Sequence, residues 1–302
     1  MKDFDNRLAG IMGAGRVRTG EPMSGHTTFR VGGPADYYVE PETGEELSGV
    51  LALCREAGMD FMILGNGSNL LIGDRGYRGV MIAPGKSFSE ITVEGERIRA
   101  GAGAMLAAVA KQALAHSLTG LEFAAGIPGT VGGAVYMNAG AYGSEMSAVL
   151  ETVTVMDRSG QVLVLPASEL ELGYRTSCIS AKGYVVLEAV IRLQPGDEAA
   201  IRERMEELSL QRRTKQPLEY PSAGSTFKRP EGYFAGKLIQ DAGLRGFTVG
   251  GAQVSEKHCG FVINRGGATA ADVMELCRAV QQKVREQFGV ELELEVRTLG
   301  EF

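Results

Sequence analysis

A chain of 302 residues exceeds the size at which one hydrophobic core keeps growing, about 250–300 residues, and is expected to divide into more than one compact unit. Its hydrophobic content of 44% and charged content of 23% are those of an ordinary globular protein, and a net charge of −6 without any basic run argues against nucleic acid as a partner. No stretch reaches the ~20 apolar residues of a membrane span and the N-terminus lacks the apolar core of a signal peptide, so no membrane insertion and a cytoplasmic location are expected.

In chain order, residues 4–12 carry a short helical pattern. Residues 27–31 and 36–40 read as two strands around Gly32-Gly33-Pro34-Ala35. Residues 43–57 form an amphipathic helix with Thr43 as N-cap, Glu46 three residues on, and Gly58 as C-cap. Strands at 61–64, 70–72 and 79–83 complete a small α+β unit. The next unit opens on a hairpin, 91–93 and 97–99 about Glu94-Gly95-Glu96, and continues with a helix at 104–116. Strands follow near 149–157, 161–165 and 184–193. A charged helix at 197–213 reads as a bridge to a third unit. That unit contains a helix near 234–242, a strand at 261–264 and a strong helix at 269–288. It ends in the alternating stretch 291–297, which predicts a strand.

Residues 126–143 read Gly-Ile-Pro-Gly-Thr-Val-Gly-Gly-Ala-Val-Tyr-Met-Asn-Ala-Gly-Ala-Tyr-Gly, with six glycines in 18 positions and no acidic residue. Such a backbone is open enough for an anion to reach its N–H groups, although glycine clusters also serve as tight packing loops. A second such loop, Leu64-Gly65-Asn66-Gly67-Ser68-Asn69, joins two apolar runs in a strand–loop–strand turn. Two such loops point to one extended phosphate-bearing cofactor held from both sides. It is not held by a standard nucleotide motif. Five residues separate Gly79 from Gly85 where a P-loop needs four, and the third glycine position after Gly101-Ala102-Gly103 is Leu106. Cys54, Cys178, Cys259 and Cys277 form no Cys-x-x-Cys pair, and His26, His116 and His258 are too few and scattered for a metal site. Free buried thiols and no metal are expected.

These loops, with Thr28-Phe-Arg-Val-Gly-Gly-Pro-Ala35, Gly173-Tyr-Arg-Thr-Ser177, Ala223-Gly-Ser-Thr-Phe-Lys228 and Leu294-Glu-Val-Arg297, form an ordered set covering nearly the whole chain. The set resembles the UDP-N-acetylenolpyruvoylglucosamine reductase family, flavoproteins of the p-cresol methylhydroxylase/vanillyl-alcohol oxidase superfamily. The resemblance implies an α+β fold: a two-part FAD-binding region, residues 1–85 and 86–200, followed by a smaller α+β substrate domain, residues 201–302. The last residues of the chain are expected to return to the first part. The short spacing between Tyr174-Arg175 and the 197–213 helix resembles the subtype that lacks an extra tyrosine-bearing loop. The cofactors implied are FAD and NADPH, and the substrate is UDP-N-acetylglucosamine enolpyruvate, reduced to UDP-N-acetylmuramate for peptidoglycan synthesis. FAD contacts map onto Arg30, onto Gly65, Asn66, Gly67, Ser68 and Asn69, onto Pro128, Gly129, Thr130, Gly132 and Gly133, and onto Asn138 and Gly140. A monomer is expected.

Hydride addition at C3 leaves an enolate whose charge spreads onto the carboxylate and needs a fixed cation. Arg175 matches the family's arginine, suited to bidentate pairing with a carboxylate. Ser225 matches the proton donor to C2, polarised by Lys215 and Lys228, and Glu295 matches the glutamate that positions the enolpyruvyl group. Alternation places Glu291, Glu293 and Glu295 on one strand face, so only the Glu-Val-Arg match singles out Glu295. Tyr142, Tyr174, Lys215, Arg229, Arg245 and His258 are implied on the substrate, with Arg229 replacing an asparagine found in one branch. Two other readings stand beside this one. Another oxidoreductase of the superfamily, acting on a hydroxy acid or sugar, would leave Arg175, Ser225 and Glu295 without a role. A non-catalytic nucleotide-binding protein would show no flavin absorbance.

Overall fold

The computed structural model describes residues 2–302. Helix α1 (Lys2–Met12) precedes strands β1 (Val17–Pro22) and β2 (Pro34–Val39), helix α2 (Gly44–Ala57), and strands β3 (Phe61–Ile63), β4 (Leu70–Ile72) and β5 (Tyr77–Ile82). The hairpin β6 (Ile91–Glu94) and β7 (Arg97–Gly101) leads to α3 (Leu106–Ala115), β8 (Leu118–Thr119) and α4 (Val131–Tyr136). Strands β9 (Gly140–Ala141), β10 (Ser144–Glu145), β11 (Leu150–Met156) and β12 (Val162–Pro166) precede α5 (Cys178–Lys182), β13 (Val185–Arg192) and β14 (Gln194–Pro195). The chain closes with α6 (Glu198–Lys215), α7 (Ala235–Asp241), β15 (Thr248–Val249), β16 (Ala252–Val254), β17 (Val262–Asn264), α8 (Ala270–Phe288) and β18 (Arg297–Leu299).

By internal contacts the chain divides into two units. The first takes the chain up to Arg18, Tyr37–Asn66 and Gly79–Arg212; the second takes Thr19–Asp36, Gly67–Arg78 and Arg213–Phe302. Residues 19–36 and 67–78, expected with the first 85, therefore belong with the C-terminal residues. The first unit contains an antiparallel sheet of order β12-β11-β13-β7-β6. Ile98, Val153, Ala189 and Ile191 of this sheet pack with Leu106 and Val109 of α3 and Val131 and Val135 of α4. A second core of the same unit gathers Leu8, Met12, Leu47, Val50, Val80 and Ile82 with Met156 and Val185. In the second unit the three-stranded sheet β15-β16-β17 packs with Val273, Leu276, Val280 and Val284 of α8, joined by Phe29, Val31 and Leu71. The C-terminal strand β18 pairs in parallel with β4, Arg297 opposite Leu70.

Helix ends follow local chemistry. Thr43 Oγ1 accepts from the Glu46 N–H at 3.2 Å, and Gly58 closes α2 in the left-handed region at φ 62°. Thr269 and Asp272 form a capping box on α8, and the Asp74 carboxylate accepts from the N–H groups of Ala270 and Ala271 at 2.7 and 2.9 Å. All four cysteines are free and buried, and burial pushes the Cys54 and Cys277 thiols up to about 12.

Three segments differ from expectation. Residues 27–31 form no strand, because the Thr27 hydroxyl donates to the Val31 carbonyl at 2.8 Å and Arg30 turns into the left-handed region at φ 55°. A threonine bonding its own backbone competes with a ladder. Residues 291–297 keep the alternation, with Leu292 and Val296 buried, but make only an isolated bridge, Phe227 to Leu294, before β18 begins. Inside the glycine-rich stretch, the chain winds into α4, where Thr130 caps the Gly133 N–H at 3.4 Å. Neighbouring contacts hold a helix that its glycines disfavour.

Candidate active site

The two glycine loops lie side by side in the first unit. The Asn66 side-chain amide donates to the Pro128 carbonyl at 2.7 Å, and a Cβ on Gly65 would come within 2.5 Å of Thr130 Oγ1. A Cβ on Gly132 would press against Ala102 at 3.0 Å. Gly65, Asn66, Pro128 and Gly133 are nevertheless solvent-exposed. The result is a bare, polar, carboxylate-free run of backbone beside the start of α4, and it fits a bound diphosphate. Gly67, Ser68 and Asn69 continue into the second unit. There Gly67 sits at φ 60°, and a Cβ on it would collide with the His26 carbonyl. Gly67→Ala is expected to destabilise the protein by about 2 kcal/mol or more, because neither the left-handed backbone nor the main chain beside it can yield. A lowered thermal midpoint together with a lowered flavin-to-protein ratio is the expected readout; a wild-type midpoint would show that the turn relaxes.

Arg175 stands at the tip of a tight turn. Gly173 and Thr176 exchange both backbone hydrogen bonds, at 3.1 and 3.2 Å, leaving Tyr174 and Arg175 between them. Arg175 lies in the left-handed region at φ 56°, an unusual backbone for arginine. Its guanidinium donates to the Gly140 carbonyl at 3.3 Å and lies 5.3 Å from the Tyr174 ring centroid. Ser177 Oγ ties the turn to the Tyr136 carbonyl at 2.7 Å. Asn138, expected on the cofactor, is wholly buried behind the turn. Its amide donates to the Gly173 carbonyl at 3.0 Å and accepts from the Ser147 N–H at 2.9 Å. Its side chain braces the base of the turn at Gly173 and is not exposed to a ligand. Tyr142, at φ 54°, donates to the Leu208 carbonyl of α6 at 3.4 Å.

The second unit brings Ser225 and Glu295 onto adjacent segments. The Thr226 N–H donates to the Gly260 carbonyl at 2.9 Å, and Thr226 Oγ1 accepts from the Val262 N–H at 2.9 Å. The Thr226 carbonyl accepts from the Glu295 N–H, also at 2.9 Å. Thr226 is 1% exposed, whereas Ser225, one residue earlier, is exposed and follows Gly224 at φ 74°. The hydroxyl therefore projects from a rigid frame. Glu295 is half-buried, and the Asn69 amide holds its carbonyl at 3.1 Å. Lys228 pairs with Glu293 at 2.9 Å, so its charge is shared with that carboxylate before it can act on Ser225.

The other expected substrate residues take varied positions. Lys215 ends α6 and is exposed. The Arg229 guanidinium lies 4.0 Å over the Phe234 ring. Arg245 donates to Gln240 Oε1 at 2.6 Å and to the Glu256 carbonyl, which makes it a brace for the loop after α7. His258 Nδ1 accepts from the Gly260 N–H at 3.1 Å, and its ring packs edge-on against Phe261. Burial lowers the His258 pKa. The folded state therefore favours the neutral ring, and its contribution to stability is present above the unfolded value of about 6.5 and lost as pH falls through the lower folded value. Denaturant midpoints are expected to drop between pH 7.5 and pH 5 by more in wild type than in His258→Gln; equal drops would exclude His258 as the source.

Three residues escaped the sequence reading. Glu145 closes the β9–β10 hairpin beside Arg175, Thr28 Oγ1 is buried without a hydrogen-bond partner, and Arg212 lies along Gly126. Arg212 meets Gly126 only through the fold, and neither Glu145 nor Thr28 stands at a spacing that marks a site.

Residues 35–166 match a profile described as FAD binding domain, and residues 216–299 match UDP-N-acetylenolpyruvoylglucosamine reductase, C-terminal domain. The chain is 56% identical to the UDP-N-acetylenolpyruvoylglucosamine reductase of Agathobacter rectalis, covering 93% of each chain. It is 55% identical to that of Clostridium perfringens, covering 94% of this chain and 93% of the other. The crystal structure of the Thermus caldophilus reductase superimposes with a TM-score of 0.80 at 38% identity, over 92% of this chain and 97% of that one. A glucose dehydrogenase, Phl p 4.0202, shares the fold over 65% of this chain at 15% identity, TM-score 0.50.

Proposed function

Since the chain belongs to the UDP-N-acetylenolpyruvoylglucosamine reductase family, we propose that it uses NADPH to reduce the enolpyruvyl group of UDP-N-acetylglucosamine enolpyruvate, giving UDP-N-acetylmuramate for peptidoglycan synthesis. FAD, when bound, supplies hydride transfer from the nicotinamide to C3 of the enolpyruvyl group. Gly65, Asn66 and the 128–133 backbone would hold its diphosphate.

Arg175 pairs with the substrate carboxylate and stabilises the charge that develops there as the enolate forms. Ser225 Oγ delivers a proton to C2, and Glu295 orients the reacting group beside it. Lys215 and Arg229 attract the uridine diphosphate, with Tyr142 and Tyr174 flanking it. The observation that carries the proposal is the pinned pair of segments 225–228 and 293–296, in which the Glu295 N–H bonds the Thr226 carbonyl at 2.9 Å and Ser225 remains exposed. Fixed neighbours around an accessible hydroxyl suit a positioned acid; a structural serine would be buried or capping.

The test is an anaerobic titration. The purified protein is expected to be yellow, to bleach with NADPH and to recolour on adding the enolpyruvyl substrate. Bleached flavin that stays reduced with this substrate would remove the proposal, and recolouring by a hydroxy-acid-derived or sugar-derived acceptor instead would favour another superfamily activity.

A further inference from the structure

We propose that Glu145 is a positioning residue for Arg175: its carboxylate, clamped on the strand that pairs with Gly140, aims the guanidinium that stabilises the enolate. This rests on the role given to Arg175 above. Strands β9 and β10 place Glu145 directly opposite Gly140, whose carbonyl accepts from the Arg175 guanidinium at 3.3 Å. A Cβ on Gly140 would lie 2.7 Å from the Glu145 Cβ, so the two strands approach closely at the residue whose carbonyl Arg175 grips.

The carboxylate is itself held. Ser147 Oγ donates to Glu145 Oε1 at 2.6 Å, and the Ser147 N–H donates to the buried Asn138 Oδ1 at 2.9 Å. The same Asn138 amide donates to the Gly173 carbonyl at the base of the Arg175 turn. Ser147 and Asn138 thus link the carboxylate to the turn that presents the cation. These bonds, with the nearby Arg175 charge, keep the Glu145 carboxyl below the usual carboxylate range and hence ionised near neutral pH. An ionised carboxylate behind a left-handed arginine has a physical use: it limits the rotamers of a flexible guanidinium whose backbone alone does not aim it.

The two half-reactions and a mutant cycle test this on the whole flavoprotein. Glu145→Gln keeps the shape and removes the charge. Flavin content, thermal midpoint and the rate of bleaching by NADPH are expected to stay near wild type, while reoxidation by the enolpyruvyl substrate slows about tenfold. In an Arg175→Ala background the same substitution is expected to change reoxidation by about twofold or less, because coupled residues do not act additively. Should Glu145→Gln fail to fold, Ser147→Ala removes the clamp and leaves the charge, with an expected slowing of about threefold that again vanishes without Arg175. Wild-type reoxidation in the folded variant, or the full effect persisting in the Arg175→Ala background, overturns the proposal. If Arg175→Ala itself reoxidises normally, the role of Arg175 falls, and this inference falls with it.

Discussion

Ser225→Ala is expected to give a stable yellow protein that NADPH bleaches at the wild-type rate and that the enolpyruvyl substrate reoxidises about 10²-fold or more slowly. A positioned general acid contributes ~10²–10⁴ in rate, and no neighbour in the 225–228 segment supplies an equivalent hydroxyl: Thr226 Oγ1 is buried and already accepts from Val262. The frame does not depend on Ser225. Thr226 bonds Gly260, Val262 and Glu295 through its own groups, and Phe227 is 3% exposed in the core. Removing an exposed hydroxyl from such a frame changes stability by about 0.5 kcal/mol or less. Stopped-flow absorbance at the flavin band reads both half-reactions. Undiminished reoxidation by the substrate would take the proton-donor role away from Ser225.

Arg175→Ala is expected to slow the same half-reaction by about 10²–10³-fold, the effect of removing one preorganised stabiliser of developing negative charge. Bleaching by NADPH should be unaffected, because the enolate forms only in the second half-reaction. Arg175→Lys separates charge from geometry. An ammonium restores a positive charge but not the planar fork, so partial recovery is expected, well short of wild type. Full recovery with lysine would reduce the role to a diffuse field. No slowing in the alanine variant would make Arg175 a structural residue of its turn. The turn itself should survive, since Gly173 and Thr176 bond through their backbones and Ser177 and Asn138 anchor it from outside.

Much of the architecture was legible in the sequence where one local signal decided the outcome. Thr269 with Asp272 marks the start of α8, Thr43 with Glu46 the start of α2, and the Glu94-Gly95-Glu96 turn the β6–β7 hairpin. Reading failed where distant contacts outweighed local preference. The glycines at 132 and 133 argue against helix, yet α4 forms there, with Val131 and Val135 buried in the first unit's core. The alternation at 291–297 predicts a strand, but its backbone groups are divided among Thr226, Lys228 and Asn69. Arg30, Asn138, Tyr142 and Arg175, all expected in the site, adopt left-handed backbone that side-chain chemistry alone does not predict. Asn138 illustrates the limit: the motif implies a cofactor contact, whereas the fold buries its side chain between Gly173 and Ser147. The fold class and the FAD-binding region were within reach of the ordered motifs; the interleaving of the two units was not, because no turn or cap records which core a short segment will join.

That interleaving has a consequence for biosynthesis. Residues 19–36 and 67–78 leave the ribosome long before residues 223–296, the main contributors to the core that Phe29, Val31 and Leu71 join. Their apolar side chains must wait through the emergence of well over half the polypeptide, and the parallel β4–β18 pair can form only when the final residues are free. Contacts of such wide sequence separation are slow to close and leave intermediates prone to aggregation. Nascent chains halted before the C-terminus would therefore be natural clients for holdase chaperones.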